Sequence, residues 1–319
     1  MKAKQGLTAA LLLIAVQALA QGYPSRPVKL LVGVPPGGPT DTVARAIAPE
    51  LGEALGQPIV VENRPGASGV IATDAVAKAQ PDGHTLAFIY ITHATNPSLI
   101  AKLPYDTLRD FAPVSLVGRQ SMVLLANPAF AANSVQELVA AAKAAPGRID
   151  YGASDAGSAP HLAAELFKMM AGVDLTPIYY KGTAPALTDL LAGQIPVMFV
   201  SNISALPHVK AAKLKALGVT GAQRTPLAPD IPTIAESGLA GYEAYGWYGI
   251  AAPARTPGAV IARLQAEVAR IAQSPAMKAR LAAQGLELVG NSPAEFQAFI
   301  RAEIDKWRAV LKAAGIKPG

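Results

Sequence analysis

The sequence predicts an α/β protein made of two lobes, and three observations support this prediction. Apolar runs typical of buried strands alternate with segments of helical periodicity, which is the pattern of a mostly parallel sheet flanked by helices. The alternation starts again after about residue 114. The chain of 319 residues is long enough for two domains of ordinary size. Such an arrangement places a ligand cleft and a hinge between the lobes.

The N-terminal segment predicts export. Lys2 and Lys4 precede an apolar run that ends in Ala18-Leu19-Ala20. The run is shorter than the roughly 20 residues that cross a bilayer, and its ending is typical of a signal-peptide cleavage site. We predict a signal peptide over residues 1–20, cleaved after Ala20; the alternative is a small N-terminal core or anchor helix. Cleavage leaves 299 of the 319 residues and, with two lysines lost, lowers the formal charge from +6 to +4.

The composition narrows the possible chemistry. The sequence holds no cysteine, which excludes disulfides, thiolate nucleophiles, cysteine-ligated metals and a lipid attached at the cleavage site. The four histidines show no metal-ligand spacing, and the lysines and arginines are scattered along helices without a nucleic-acid-binding motif. We therefore expect an unlipidated periplasmic protein with no metal, no cofactor and no nucleic-acid partner.

The first lobe begins with strands that are separated by helices. Residues 29–34 form a continuous aliphatic run typical of a buried strand. After a Pro/Gly loop, Val43 and Ile47 recur at helical spacing, and Gly56 ends the helix. The predicted strands are 29–34, 59–63 and 85–91, and the predicted helices are 42–55 and 70–79.

The second lobe repeats this alternation before the chain returns. A strand over 114–126 leads into it, and Ser134 with Glu137 forms a capping box that starts a helix. Further strands are predicted at 149–152, 175–180, 197–200 and 214–219, with helices at 134–145, 161–171, 184–192 and 205–211. Two long helices, 257–273 and 293–314, follow the return of the chain. We expect lobe 1 to comprise 23–124 plus 247–319, and lobe 2 to comprise 125–246.

Three loops share one design, in which a strand is followed by small polar residues and the start of a helix. They are Pro36–Asp41, Ser154–Ser158 and Lys181–Ala184. Glycine lets backbone amides turn outward and a helix start adds partial positive charge, so such loops bind anions without a basic side chain. The alternative is that these residues only cap their helices. Asp41 in particular is either a cap or an acceptor for a ligand.

Catalytic motifs are weak by comparison. Neither a G-x-G-x-x-G nor a Walker motif occurs. The segment around Ser154 is not a G-x-S-x-G motif, because it lacks the closing glycine. A triad of Ser154, His161 and Asp155 is the basis of an alternative reading as a secreted hydrolase. His161 is otherwise expected to be structural, whereas His93 is the histidine predicted to lie at the cleft. Trp247 with its neighbour Tyr248 is predicted either to line the cleft or to pack at the hinge.

An ordered set of motifs extends from Tyr23 nearly to the C-terminus. It includes Tyr23-Pro24-Ser25-Arg26-Pro27, Pro35-Pro36-Gly37-Gly38, Glu62-Asn63-Arg64-Pro65-Gly66, Pro81-Asp82-Gly83, Leu103-Pro104-Tyr105-Asp106 and Tyr180-Lys181-Gly182-Thr183. In these motifs the chain resembles the Bug-type receptors, which are the extracytoplasmic solute-binding components of tripartite tricarboxylate transporters.

The resemblance implies a two-lobed periplasmic binding-protein fold, type II-like, that closes on a small carboxylate. It implies delivery of that ligand to membrane permease subunits by a monomeric receptor that is not an enzyme. Binding is expected through main-chain groups, hydroxyls and ordered water. The implied ligand-binding residues are Gly37, Gly38, Asp41, Thr92, His93, Ser154, Ser158, Lys181, Gly182, Thr183, Ser201 and Asn202. One departure is Val200, which stands where many relatives carry aspartate.

Overall fold

The computed structural model describes residues 22–153 and 157–319, and the predicted signal peptide over 1–20 lies outside these residues. Strands occupy β1 Val28–Val32, β2 Ile59–Asn63, β3 Thr85–Tyr90, β4 Phe111–Ala126, β5 Asp150–Ala153, β6 Thr176–Tyr179, β7 Val197–Ser201, β8 Lys215–Val219, β9 Tyr245–Pro253 and β10 Leu286–Leu288. Helices occupy α1 Pro39–Leu55, α2 Val70–Ala77, α3 Thr92–Leu99, α4 Val135–Ala144, α5 Ala159–Ala171, α6 Thr183–Leu191, α7 Asn202–Lys210, α8 Gly258–Gln273, α9 Pro275–Ala282 and α10 Pro293–Ala313.

Each lobe is built on a parallel three-stranded unit. In the first lobe β2, β1 and β3 lie side by side and parallel, and β9 then pairs antiparallel with β3. In the second lobe β6, β5 and β7 form the parallel unit. Short strand–helix–strand connections account for this arrangement, because a parallel neighbour requires a crossover that a helix supplies.

The long strand β4 joins the two lobes. Its part from Phe111 to Ser121 pairs antiparallel with β9, whereas its part from Met122 onward pairs with β7 and β8. The chain returns at Ala244, whose amide still bonds to lobe 2, and at Tyr245, which pairs with Ser121. The change of partners therefore lies between residues 121 and 122 and again between 244 and 245. The predicted lobe limits of 124 and 246 lie close to it and stay a prediction.

The buried core follows the two lobes and also connects them. One apolar cluster lies between α1, α8 and the first-lobe sheet, and another lies under α6 and α7 of the second lobe. A third cluster includes residues of α2, α5 and α10 and continues from one lobe into the other. Within 22–153 and 157–319, no helix combines the length and apolar character needed to cross a bilayer.

Most predicted elements are confirmed within a few residues, and the exceptions have physical reasons. Helix α1 begins at Pro39, three residues earlier than predicted, because proline suits the first position of a helix. The segment after β3, which was expected to be a loop, is the helix α3. Strands β9 and β10 and helix α9 were not predicted. Helix α9 and β10 are short, and both strands pair with β4, which is remote in the sequence.

Candidate ligand-binding site

A cavity of about 800 Å³ lies between the lobes. The first lobe supplies Gly33, Val34, Pro35, Pro39, Thr40, Gly66, Ser68, Gly69, Tyr90, Ile91 and Thr92. The second lobe supplies Ser158, Ala159, Pro160, Thr183, Ser201 and Ser204. The connecting strands β4 and β9 supply Gln120, Met122, Gly246, Trp247 and Tyr248. The cavity therefore lies at the carboxyl ends of parallel strands, where open α/β sheets bind ligands.

Six helices begin at this cavity. Helices α1, α2 and α3 present their first residue or their N-cap residue from lobe 1, and α5, α6 and α7 do so from lobe 2. The first amides of a helix have no partner within it, and the aligned peptide dipoles place partial positive charge there. The two groups of helix starts face the cavity from opposite lobes, so an anion inside it is favoured from both sides.

The described cavity wall carries no formal charge. None of its described side chains is a lysine, arginine, aspartate or glutamate. Most of its polar side chains are hydroxyls, which come from serines, threonines, Tyr90 and Tyr248. Such a wall offers hydrogen-bond donors to a carboxylate without an ion pair. It offers no carboxylate to neutralise an ammonium group, which would lose its hydration on entry.

Tyr90 contributes a hydroxyl at the end of β3. Its Oη lies 3.5 Å from the Gly33 carbonyl oxygen, and burial raises the pKa of the phenol, against an opposing hydrogen bond with Thr92. The group therefore remains protonated and can donate. Gly69 has a positive φ of 86°, and a Cβ at this position would lie 2.8 Å from the Tyr90 oxygen. Glycine is needed here both for the backbone conformation and for the close approach of the ring.

An aromatic and apolar surface closes the cavity on the side of β4 and β9. Trp247 and Tyr248 both line the cavity and are both buried. Tyr248 stacks on Phe88 with centroids 6.0 Å apart, and Trp247 donates from Nε1 to the Glu303 carboxylate at 2.9 Å. Both readings of this pair therefore apply, since the rings line the cleft and pack into the connection between the lobes. Met122 adds a flexible apolar side chain beside them.

Four of the predicted site residues lie at the cavity: Thr92, Ser158, Thr183 and Ser201. Each stands at the start of a helix, as the strand–loop–helix design requires. Ser154 lies outside the described residues.

The Pro/Gly loop differs from its expected role. Asp41 is buried, and its carboxylate accepts hydrogen bonds from the Gly37 amide at 2.9 Å, from Arg45 and from Asn63. Burial alone would raise the pKa of Asp41, but these hydrogen bonds and the Arg45 charge hold it below its usual range. The structure therefore makes Asp41 an anchor of its own loop. The Gly37 amide donates its hydrogen bond to Asp41. Neither Gly37 nor Gly38 lines the cavity.

His93 also lies away from the cavity. Its ring packs edge-on against Phe111 with centroids 5.1 Å apart and beside Tyr105 at 6.3 Å. Burial lowers the pKa of His93 to about 4, despite an opposing contribution from the Thr107 backbone. The structure does not bring His93 to the cavity wall, because the segment after β3 is the helix α3. Its first residue, Thr92, faces the cavity, whereas the next residue turns into the core.

Three further predicted residues do not line the cavity. Lys181 is exposed, and Gly182 caps α6 with a positive φ of 103°. Asn202 is buried on the opposite side of β4, where its amide nitrogen donates to Ser121 at 3.0 Å and Thr225 at 3.4 Å. It follows Ser201 directly, and the start of α7 points these neighbours in different directions. Asn202 thus connects the lobes behind the cavity.

The geometry around His161 does not support the hydrolase alternative. His161 is fully buried, and its Nδ1 accepts a hydrogen bond from the Gly157 amide at 3.2 Å. The proton of the neutral ring is therefore on Nε2, which donates to the Tyr179 hydroxyl at 3.1 Å. Burial lowers the pKa of His161, against the effect of Glu165. Both ring nitrogens hold structural partners, so this ring is not poised as a general base.

Several cavity residues escaped the sequence analysis. Tyr90, Gln120 and Met122 lie on strands, and the alternation of a strand does not show which of its side chains meets a second lobe. Ser68 and Gly69 lie in a Gly-rich turn that was predicted only as a connection. The available signal was the start of α2 directly after this turn, because that is the same design as in the three loops that were singled out.

Comparison with known proteins identifies the class of receptor. A family model described as the tripartite tricarboxylate transporter family receptor matches residues 43–316. The chain belongs to this family. Protein BugT of Bordetella pertussis is 38% identical to it over 306 residues, which cover 95% of this chain and 94% of BugT.

Solved structures of similar proteins agree with the two-lobed fold. R. palustris Rpa4515 with adipate superposes with a TM-score of 0.82 at 38% identity and covers 93% of this chain and 100% of its own. MatC from Rhodopseudomonas palustris with bound malate superposes with a TM-score of 0.77 at 34% identity and covers 91% of this chain and 100% of its own. The periplasmic binding protein BugD superposes with a TM-score of 0.78 at 35% identity and covers 93% of this chain and 100% of its own. These likenesses confirm the predicted two-lobed periplasmic binding-protein fold and the predicted family. That family is one of receptors and not of enzymes.

Proposed function

We propose that this receptor binds a small carboxylate in the cavity between its lobes and delivers it to membrane permease subunits without changing it chemically. The observation that supports this most strongly is the uncharged, hydroxyl-rich wall onto which six helices direct their N-terminal ends. Hydrogen bonds to a charged group contribute about 1.5–3 kcal/mol each, so a few converging donors suffice to hold a carboxylate.

Dicarboxylates fit the arrangement best. Helix starts face the cavity from both lobes, so each lobe offers its own anion-binding end. The wall between them includes Met122 and Trp247, which suit an apolar spacer. Two similar proteins were solved with adipate and malate, and both ligands carry two carboxylates.

A free amino group on the ligand is disfavoured. Val200 is buried in the core of lobe 2 and does not line the cavity, and the described cavity wall presents no acidic side chain. Among the described residues an ammonium group would find no counter-charge, while helix starts of the same sign surround it. We propose that the receptor discriminates against acidic amino acids.

Closure of the lobes would couple binding to transport. Strand β4 changes partners between Ser121 and Met122, and the returning chain leaves lobe 2 between Ala244 and Tyr245; we place the hinge there. A ligand that contacts both lobes binds the closed form better and shifts the population towards it. We propose that a monomeric receptor in this closed form is what the permease recognises.

We also propose that the receptor works in the periplasm after removal of residues 1–20. Intact mass of the protein recovered from the periplasm should correspond to a chain beginning at Gln21 with no lipid attached. A mass that retains the first twenty residues would contradict the proposed processing.

A thermal-shift panel tests the proposed ligand class. Protein that has been unfolded and refolded to remove carried-over ligand is mixed with dicarboxylates, tricarboxylates and acidic amino acids. At a ligand concentration of 100 Kd the expected stabilisation is about 2.7 kcal/mol, which raises Tm by a few degrees. Dicarboxylates should raise Tm more than their amino-substituted counterparts. If no carboxylate raises Tm, the proposal fails.

Thr183→Val locates the binding surface. The substitution removes a hydroxyl that lines the cavity while keeping the shape of the side chain. We expect affinity for the best dicarboxylate to fall about tenfold to a hundredfold, since one hydrogen bond to a carboxylate is lost. Thr188→Val on the exposed side of the same helix is the matched control and should bind as the wild type does. If both variants bind the dicarboxylate equally well, the start of α6 does not contact the ligand and the proposed binding surface is contradicted there.

A further inference from the structure

Glu303 connects the wall of the cavity with the chain segment that returns between the lobes. It lies on α10 and is 7% exposed. Its Oε2 accepts hydrogen bonds from the indole N–H groups of Trp247 at 2.9 Å and Trp307 at 2.7 Å. Its Oε1 accepts one from Lys306 Nζ at 3.0 Å. One carboxylate thus satisfies three donors on two different elements, which a neutral side chain of this size cannot do.

The orientation of Trp247 depends on this carboxylate. Trp247 lines the cavity with its side chain almost wholly buried, and Phe296 and Phe299 of α10 meet the indole edge-on with centroids 6.1 and 5.4 Å away. The two phenylalanines restrict the ring by packing. Among the described residues, Glu303 is the hydrogen-bond partner of the indole N–H and fixes the direction in which this group points.

The same network reaches the connection between the lobes. Lys306, which bonds to Glu303, also donates to the carbonyl oxygen of Glu243 at 3.1 Å. The next residue, Ala244, donates its amide to Thr220 of lobe 2. Helix α10 packs against both α3 and α5, whose first turns line the cavity from opposite lobes. The carboxylate therefore lies where the cavity wall, the returning chain and a helix common to both lobes meet.

We propose that Glu303 is a positioning residue for ligand binding. It holds the Trp247 ring in the orientation that the ligand meets, and through Lys306 it holds the returning segment in register. This inference rests on the proposed function. A binding wall is effective when the residues behind it lock its side chains, so loss of Glu303 weakens binding without removing a ligand contact.

Glu303→Gln separates charge from shape. The amide has one acceptor oxygen and one NH₂ donor in place of two acceptor oxygens. If the amide oxygen accepts from the indoles, the NH₂ group faces the Lys306 ammonium. If the amide oxygen faces Lys306 instead, the NH₂ group faces the two indole N–H groups. In both orientations one hydrogen-bond donor lies against another donor. The matched control is Asp305→Asn, which removes a carboxylate charge from an exposed position of the same helix.

Tryptophan fluorescence reports on Trp247 independently of any ligand. The sequence holds two tryptophans, so Trp307→Phe leaves Trp247 as the sole emitter. In this background Glu303→Gln should shift the emission maximum and increase quenching by acrylamide, whereas Asp305→Asn should change neither. Adipate titrations should show affinity weakened at least about fivefold by Glu303→Gln and unchanged by Asp305→Asn.

Unchanged emission, quenching and adipate affinity in a folded Glu303→Gln protein would overturn the proposal. If that variant does not fold, Lys306→Met removes the partner of Oε1 while keeping the length of the side chain. It should weaken adipate binding in the same direction, and wild-type affinity in it would overturn the proposal equally. If the wild type binds no carboxylate, the proposed function fails, while the emission comparison still decides whether Glu303 positions Trp247.

Discussion

Asp41 illustrates how far residue type and position predict a role. The sequence places a carboxylate in a loop next to a helix start, and two roles were open there. In the structure the carboxylate turns back to the Gly37 amide and to Arg45, so it stabilises the loop. The choice depends on Arg45 and on Asn63, which is brought alongside by pairing of β1 with β2. That pairing is tertiary and is not visible in the local sequence.

His93 carries a prediction about pH. Its folded-state pKa of about 4 lies below the ordinary value of about 6.5, because burial disfavours the charged ring. The unfolded chain therefore binds more protons between these values. The contribution of His93 to the free energy of unfolding is therefore fully present above pH 6.5. It is lost as the pH falls towards 4, which lowers the free energy of unfolding by up to about 3 kcal/mol.

His93→Gln should flatten this dependence. Thermal unfolding of wild type and variant is compared at several pH values between 4 and 7.5. The wild-type Tm should fall more steeply on acidification than that of the variant, which retains the smaller contribution of buried His161. Identical slopes would show that His93 is not held neutral by burial.

At the scale of elements, regular alternation was predictable and context-dependent elements were not. Strands such as β1 and β2 consist mostly of aliphatic residues, and the helix between them has recognisable ends. Helix α3 contains Pro97 and mostly polar residues, so its sequence has little intrinsic helix preference. It forms because it packs against α10, which follows almost two hundred residues later.

The same reasoning explains which parts of the site were predictable. Thr183 and Ser201 stand at helix starts after strands, and that position alone directs them to the cavity edge. Tyr90 and Met122 reach the cavity because a second lobe faces their strands. Local patterns specify where a strand ends but not what lies opposite it.

Packing of α10 on β9 predicts the effect of Gly249→Ala. A Cβ at Gly249 would overlap the ring of Phe296, which is fully buried. We expect a loss of about 1–3 kcal/mol in the free energy of unfolding, because the ring has to shift within a packed core. Gly258→Ala is the control, since no atom lies within 4 Å of a Cβ there. Denaturant titration should show the control at or slightly above wild-type stability, and an unaffected Gly249→Ala would contradict this packing.

At the scale of the whole molecule, one long strand, one returning segment and one helix connect two otherwise similar lobes. Strand β4 pairs with strands of both lobes, the chain returns just before β9, α10 packs against helices of both lobes, and the cavity lies between the lobes. In the proposed function, closure would bring together the helix starts that each lobe already holds at the cavity. Affinity in such a design comes from amides and hydroxyls that need little rearrangement.

The central claim is that the negative charge of a carboxylate is recognised by helix starts without a basic side chain. Titration calorimetry of ligand-stripped protein with adipate and with adipamide, its neutral diamide of similar shape, tests this most directly. We predict saturable binding of adipate and an affinity for adipamide at least about a hundredfold weaker, because two charge-assisted hydrogen-bonded ends are lost. Equal affinity for the two compounds, or binding of neither adipate nor any other small carboxylate, would contradict the claim.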